Sequence, residues 1–145
     1  MVDVLADPSL YAFIGGAPHP LPELEALYRR WIQGATRQGE TWHNWVIRLA
    51  DGGDAIGHLQ ATVLDDARSA DIAWLVGTAW QGRGYATEAA RALVAWLEAN
   101  GIDAISAHVH PDHAASARVA ERAGLAATSE VEDGEVVWRR ASPAY

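Results

Sequence analysis

Apolar and polar positions alternate along residues 44–50, with Trp45, Ile47 and Leu49 on one side and Asn44, Val46 and Arg48 on the other, a period of two that predicts a strand. Asp51-Gly52-Gly53-Asp54 then turns the chain, and residues 55–64 predict a second strand paired back on the first. Asp65-Asp66 opens the next turn, and residues 70–76 predict a short, mostly apolar third strand with Ile72, Trp74 and Val76 on one face. There the period changes. Ala86, Ala89, Ala90, Leu93, Val94 and Leu97 recur at the spacing of one helix face, no proline interrupts them, and Asn100-Gly101 supplies the stop. Residues 102–109 predict a strand parallel to the third, so that strand, helix and strand make a right-handed βαβ unit.

Pro111-Asp112 precedes a further helix over 113–123 that Gly124 closes. Within 128–140, Asp133-Gly134 stands between two extended arms, 129–132 and 135–138, and predicts a hairpin. Ahead of the first strand, Asp7-Pro8 pairs a capping side chain with proline at a first helical position, and Gly15-Gly16 ends the short helix it opens. Pro18, Pro20 and Pro22 make a stiff connector. From Glu23 a second helix presents Leu24, Leu27, Tyr28, Trp31 and Ile32 on one face, with Gly34 near its end. Helices, antiparallel meander, βαβ unit, helix and hairpin together predict a mixed α/β (α+β) domain around one central mixed sheet.

At 145 residues the chain is read as a single domain, 1–145, able to bury a core without staples. It has no cysteine, which excludes disulfides, thiolate metal sites and a cysteine nucleophile. The N-terminus lacks the basic and long apolar regions of a signal peptide, and no apolar run approaches membrane length, so a cytoplasmic protein with no membrane partner is expected. Lys+Arg 11 against Asp+Glu 19 gives a formal net charge of −8, which argues against nucleic acid as a partner. The same balance favours solubility and a cationic substrate.

Between the third strand and its helix, Gly82 and Gly84 allow a sharp bend and a close approach to a ligand. The unpaired N–H groups of the helix start, with the positive end of its dipole, make an anion site contributing up to about 2 kcal/mol per favourably placed charge. A P-loop would need G-x-x-x-x-G-K-[ST], and no lysine stands there; a dinucleotide fold would need a third glycine where Thr87 stands. The run Gln81-Gly82-Arg83-Gly84-Tyr85-Ala86 resembles instead the Q/R-x-x-G-x-G/A signature of the GNAT acetyltransferases, whose backbone N–H groups hold the pyrophosphate of coenzyme A. With Trp80 before it and Thr87-Glu88-Ala89 after it, the run looks most like the ribosomal-protein N-acetyltransferase branch. The resemblance implies a GNAT-like fold, acetyl-CoA as acyl donor, and Gln81, Gly82, Arg83, Gly84, Tyr85, Ala86 and Thr87 as the cradle.

A second stretch, Ala107-His108-Val109-His110-Pro111-Asp112-His113-Ala114-Ala115-Ser116 and on to Gly124-Leu125, resembles the family's other landmark, whose helix flanks the thiol end of the cofactor. Ser116 stands where a serine can bond the cofactor or protonate its leaving sulfur. His113 replaces the usual asparagine, Leu125 replaces an aromatic residue, and the tyrosine that many members use as general acid would fall at Ala120. The resemblance implies that the acyl group passes directly from thioester to a bound amine, with the backbone near Leu75 and Val76 gripping the acetyl carbonyl and pantetheine arm. One such N–H donor is worth on the order of 3 kcal/mol to an oxyanion.

The amine must first lose a proton, at roughly 4 to 5 kcal/mol for a lysine-like amine at neutral pH but only about 1 for an α-amino group. Candidates to receive it are Asp71 on the third strand and His58, His108 and His110 on its neighbours; His110, at the strand end entering the Ser116 helix, is the best placed. The catalytic candidates are therefore Ser116, His110 and Asp71, with His113 and Ser116 also as cofactor contacts and no metal. Trp74 and Trp138 can wall an acceptor pocket through cation–π contact, and Arg83 and Arg118 can meet cofactor phosphates. Family members begin with one more strand than this sequence shows, which leaves strand 44–50 as a sheet edge to be covered, paired in a homodimer, or supplied with a strand by a start further upstream. The alternative activity is a non-catalytic acyl-CoA-binding or regulatory module, favoured by Ala120, His113 and the missing strand.

Overall fold

The computed structural model describes residues 1–11, 17–34 and 38–140. Six strands form one sheet: β1 (Glu40–Arg48), β2 (Ala55–Leu64), β3 (Ser69–Val76), β4 (Ala104–Val109), β5 (Leu125–Glu132) and β6 (Glu135–Arg140), in the order β1-β2-β3-β4-β6-β5. Three α-helices accompany them: α1 (Leu21–Gln33), α2 (Tyr85–Ala99) and α3 (Ala114–Arg122). The β3–α2–β4 crossover is the βαβ unit, with β3 and β4 parallel and every other pair antiparallel.

The patterned faces go where their periods direct them. Ala90, Leu93, Val94 and Leu97 of α2 are buried against Leu59, Ala61 and Val63 of β2, Ala70 and Ile72 of β3, and Ile105, Ala107 and Val109 of β4. Burying each leucine, isoleucine or valine among them contributes about 1.5–3 kcal/mol. Leu125, in the aromatic residue's place, plugs the same core beside Ala120 of α3 and Ala123, which caps that helix. The opposite face of the sheet meets α1, where Trp31 stands edge-on to His58 of β2 at 5.3 Å.

Several boundaries differ from the sequence pattern. β1 starts at Glu40 rather than at 44, because Thr41 and Trp42 continue the ladder opposite Val63 and Thr62. It stops before Leu49, whose N–H donates to Asp54 O and whose carbonyl accepts from Gly53, closing the turn. β4 starts at Ala104 rather than 102, since the Ile102 N–H still closes α2 by donating to Leu97 O. α1 begins at Leu21, ahead of Glu23, with Pro22 in its first turn, and is capped by Gly34. The helix opened by Pro8 is a 3-10 turn, Pro8–Tyr11, and the Gly15-Gly16 expected to close it lies outside the described residues. The hairpin arms are longer than the pattern showed, and Asp133 and Gly134 both take positive φ (51° and 81°), as a tight two-residue hairpin requires.

What positions the site is where the parallel pair ends. β3 and β4 are in register only from Ser69↔Ala104 to Asp71↔Ser106. Beyond Asp71, β3 stays with β2 as far as Val76↔Gly57, while β4 stays with β6 as far as Val109↔Val136. A fork opens in the middle of the sheet.

Candidate active site

The fork is the mouth of a cleft of about 640 Å³. Its walls come from β3 (Ile72 to Val76), the turn and first residues of α2, the end of β4, the start of α3, and Ser9 and Leu10 of the N-terminal segment. That segment is locked to the strand end. A Cβ at Gly77 would fall 2.6 Å from the Val4 carbonyl, and the Asp7 carboxyl is held below its ordinary range by the Ser9 N–H and hydroxyl and by Thr78, which stands just ahead of the glycine turn.

In that turn Gly82 (φ 76°) and Gly84 (φ 83°, ψ 4°) are left-handed, and a Cβ on either would meet no protein atom within 4 Å. Packing does not demand glycine there; the backbone angle does. Gly84 caps α2 with no side-chain hydrogen bond, and the first intrahelical bond runs from the Glu88 N–H to Gly84 O. The N–H groups of Tyr85, Ala86 and Thr87 precede that bond, so the dipole's positive end faces the cleft uncapped. The Gln81 amide donates to Val76 O at 2.9 Å and straps the turn to β3. Arg118 and Arg122 of α3 add positive charge to the wall. A pyrophosphate-bearing ligand fits these groups.

The ladder decides which β3 groups the fork exposes. Because the Gly77 N–H donates to Ile56 O, residues 71, 73 and 75 bond β2, and Leu75 exchanges its hydrogen bonds with His58. Trp74 and Val76 turn their N–H and C=O toward the fork, with Val76 O taken by Gln81. Trp74 also reaches α3, where its indole N–H donates to Ser116 Oγ at 3.1 Å. With its lone pair so engaged, the Ser116 hydroxyl is polarised to donate its own hydrogen.

At the vertex lies a polar chain on the sheet face away from α2. His108 Nδ1 is 2.8 Å from Asp71 Oδ1, His108 Nε2 is 2.8 Å from Glu132 Oε2, and the Ser106 hydroxyl donates to Asp71 at 3.2 Å. Burial raises the Asp71 carboxyl above its ordinary value, although His108 and Ser106 pull the other way. Burial alone would lower His108, but the Glu132 hydrogen bond and the Asp71 charge outweigh it and raise the ring. His113, at the start of α3, is lowered by burial and then by His110. The Asp112 N–H donates to His110 Nδ1 at 3.1 Å, so the neutral His110 ring carries its hydrogen on Nε2 and is a donor there. His58 is pulled to about 4 by burial. Among the described residues no group of His, Asp and Glu is arranged to hold a metal ion.

Of the residues singled out in the sequence, Trp74, Leu75, Val76, Gln81, Gly82, Gly84, Tyr85, Ala86, Thr87, His108, His110, His113, Ser116 and Arg118 line the cleft. Arg83 is exposed outside its lining, and Asp71 reaches it only through His108. Trp138 packs on the core instead of walling the cleft. Sequence reasoning missed the Trp74–Ser116 bond, Glu132 as the second partner of His108, and Ser9 and Leu10 as wall; only the phase of alternation, which puts Ser106, His108 and His110 on one side of β4, hinted at the polar chain.

A forked βαβ sheet with an uncapped, glycine-turned helix start at its mouth makes a site for a phosphate-bearing ligand. A family model described as Acetyltransferase (GNAT) domain matches residues 1–126, and the chain belongs to the GNAT acetyltransferases. Among solved structures, an acetyltransferase from Agrobacterium tumefaciens is similar at 27% identity, with 97% of this chain and 82% of that one covered and a TM-score of 0.72. AAC(6')-Ib with paromomycin and acetyl-CoA is similar at 22% identity, with coverages of 95% and 83% and a TM-score of 0.76. Spermidine N-acetyltransferase from Vibrio cholerae, with CoA and spermine, matches at 17% identity, 95% and 84% coverage and a TM-score of 0.71. Among curated protein sequences none matches the chain.

Proposed function

We propose that this acetyltransferase moves an acetyl group from acetyl-CoA directly to a primary amine. The observation that carries the reading is the uncapped start of α2, with Gly82 and Gly84 left-handed, at the mouth of the β3/β4 fork. When bound, acetyl-CoA supplies the thioester-activated acyl group. The N–H groups of Tyr85, Ala86 and Thr87 hold its pyrophosphate, and the fork-facing backbone of Trp74 and Val76 grips the arm that carries the acyl group, with Leu75 behind it. Ser116, held by Trp74, donates to the sulfur end; His113 and the Nε2–H donor of His110 complete that wall. The proton leaving the amine is assigned to the Asp71–His108–Glu132 chain, where burial makes Asp71 a stronger base than an exposed carboxylate.

A cationic small molecule or peptide amine suits a chain of net charge −8 whose cleft carries Glu135 and, through His108, two more carboxylates. Aminoglycosides and polyamines, like those bound by the structural neighbours, and the N-termini of ribosomal proteins are the acceptors to screen. At the edge of β1, which has no second strand partner among the described residues, the partner is a second copy of the chain. No helix among the described residues is long and apolar enough to cross a membrane, and a cytoplasmic setting suits a chain without cysteine. One observation favours the non-catalytic acyl-CoA-binding reading: Ala120, where a general-acid tyrosine would stand, is wholly buried in the core.

The test is the thermal midpoint with and without acetyl-CoA, for the parent and Gly84→Trp, followed by thiol release with each amine. At 100 times its dissociation constant the ligand adds about 2.7 kcal/mol to the parent. A shift lost in the variant, with thiol released only when amine is added, supports the enzyme. A shift without release supports the binding module, and no shift removes the cofactor.

A further inference from the structure

β1 is the outer strand of the sheet, and β2 is its only strand partner among the described residues. The phase set by the Gly77 N–H bond to Ile56 O runs through the ladder: even-numbered residues of β2 bond β3 and odd-numbered ones from Gly57 to Val63 bond β1, while past the register shift after Ile47 the Leu49 N–H bond to Asp54 O keeps Arg48 outward. The Asp65 N–H bond to Gly39 O obeys the same phase. Glu40, Trp42, Asn44, Val46 and Arg48 therefore turn their backbone N–H and C=O groups outward, away from β2. Neither lysine nor proline interrupts this edge, and its one irregularity, the register shift between Ile47 and Arg48, lies at its end.

The nine residues are complementary to their own reverse. Laid antiparallel beside a second copy and centred on Asn44, Glu40 faces the other copy's Arg48, Trp42 faces its Val46, and the outward backbone groups meet as hydrogen-bonded pairs. All five side chains share one sheet face, where Val46 is 46% exposed. Within one copy Trp42 Nε1 donates to Glu40 at 2.7 Å and Arg48 donates to Gly53 O at 3.1 Å. A shift of two residues, the smallest that keeps the faces matched, sets Glu40 against Val46 and leaves Arg48 without a partner.

Resting on the second-copy partner proposed above, we infer that two chains pair β1 to β1 in this Asn44-centred register, joining two six-stranded sheets into one. Light scattering across a concentration series tests it. The parent is expected to be a dimer, Arg48→Glu and Glu40→Arg each to shift it to monomer, and the double variant to restore the dimer. Val46→Arg, at an exposed position that folding tolerates, is expected to give folded monomer as well, with thermal midpoints confirming that each variant folds. A parent that is monomeric throughout overturns the second-copy reading itself. A dimer that ignores the charge reversals and Val46→Arg, or a double variant that folds but stays monomeric, overturns this register while leaving other dimers open.

Discussion

His58 shows how burial converts a residue into a pH dependence. It packs against Trp31, and its pKa falls from the ordinary 6.5 to about 4. Between those values the unfolded chain takes up a proton that the native ring refuses, so stability rises with pH across that window and is lost as pH falls from 6.5 toward 4. The difference amounts to about 3 kcal/mol at its largest. Denaturant titrations at pH 7 and pH 4.5 are expected to show His58→Leu losing markedly less stability than the parent on acidification; equal losses would mean the ring is protonated in the native state. His108, raised by its carboxylates, works in the opposite sense: its contribution is full below its ordinary pKa and disappears as pH rises through the folded one.

Between elements, the informative contact is the Trp74 indole donating to Ser116, because it ties β3 to α3 across the cleft. A net contribution of about 0.5–1.5 kcal/mol is normal for such a bond. Trp74→Phe keeps the aromatic bulk and removes the N–H, so kcat is expected to fall a few-fold. In a Ser116→Ala background the same change is expected to cost nothing further. Independent losses in the double variant would show that Trp74 acts through packing alone. The strap from Gln81 to Val76 O serves the α2 cradle in a related way, joining the turn to the strand whose backbone faces the fork.

Across the whole molecule the net charge of −8 acts at a distance. Raising ionic strength from about 0.1 to 1 M shortens the Debye length from about 10 to 3 Å. For a polyamine acceptor kcat/KM is expected to fall several-fold over that range, and for a monoamine to change little. Steady-state rates with both acceptors check this, and parallel salt curves would assign the acidic balance to solubility. A β1–β1 dimer would double the charge of the particle, and its pairing of Glu40 with Arg48 joins the copies through opposite charges despite that repulsion.

Local rules were legible in the sequence. The helix face of α2, the strand alternation, the Asp133-Gly134 hairpin and the glycine cradle all follow from side-chain period and from backbone angles that a few adjacent residues set for themselves. Tertiary structure alone decided what meets what. Trp74 and Ser116 are 42 residues apart and His108 and Asp71 are 37 apart, and each contact exists because the β3–β4 register ends at Asp71 and the strands diverge. The same ladder phase turned Leu75 toward β2 and Trp74 toward the fork. A pattern of period two shows that neighbours point opposite ways, but only pairing with a partner strand says which way each one points.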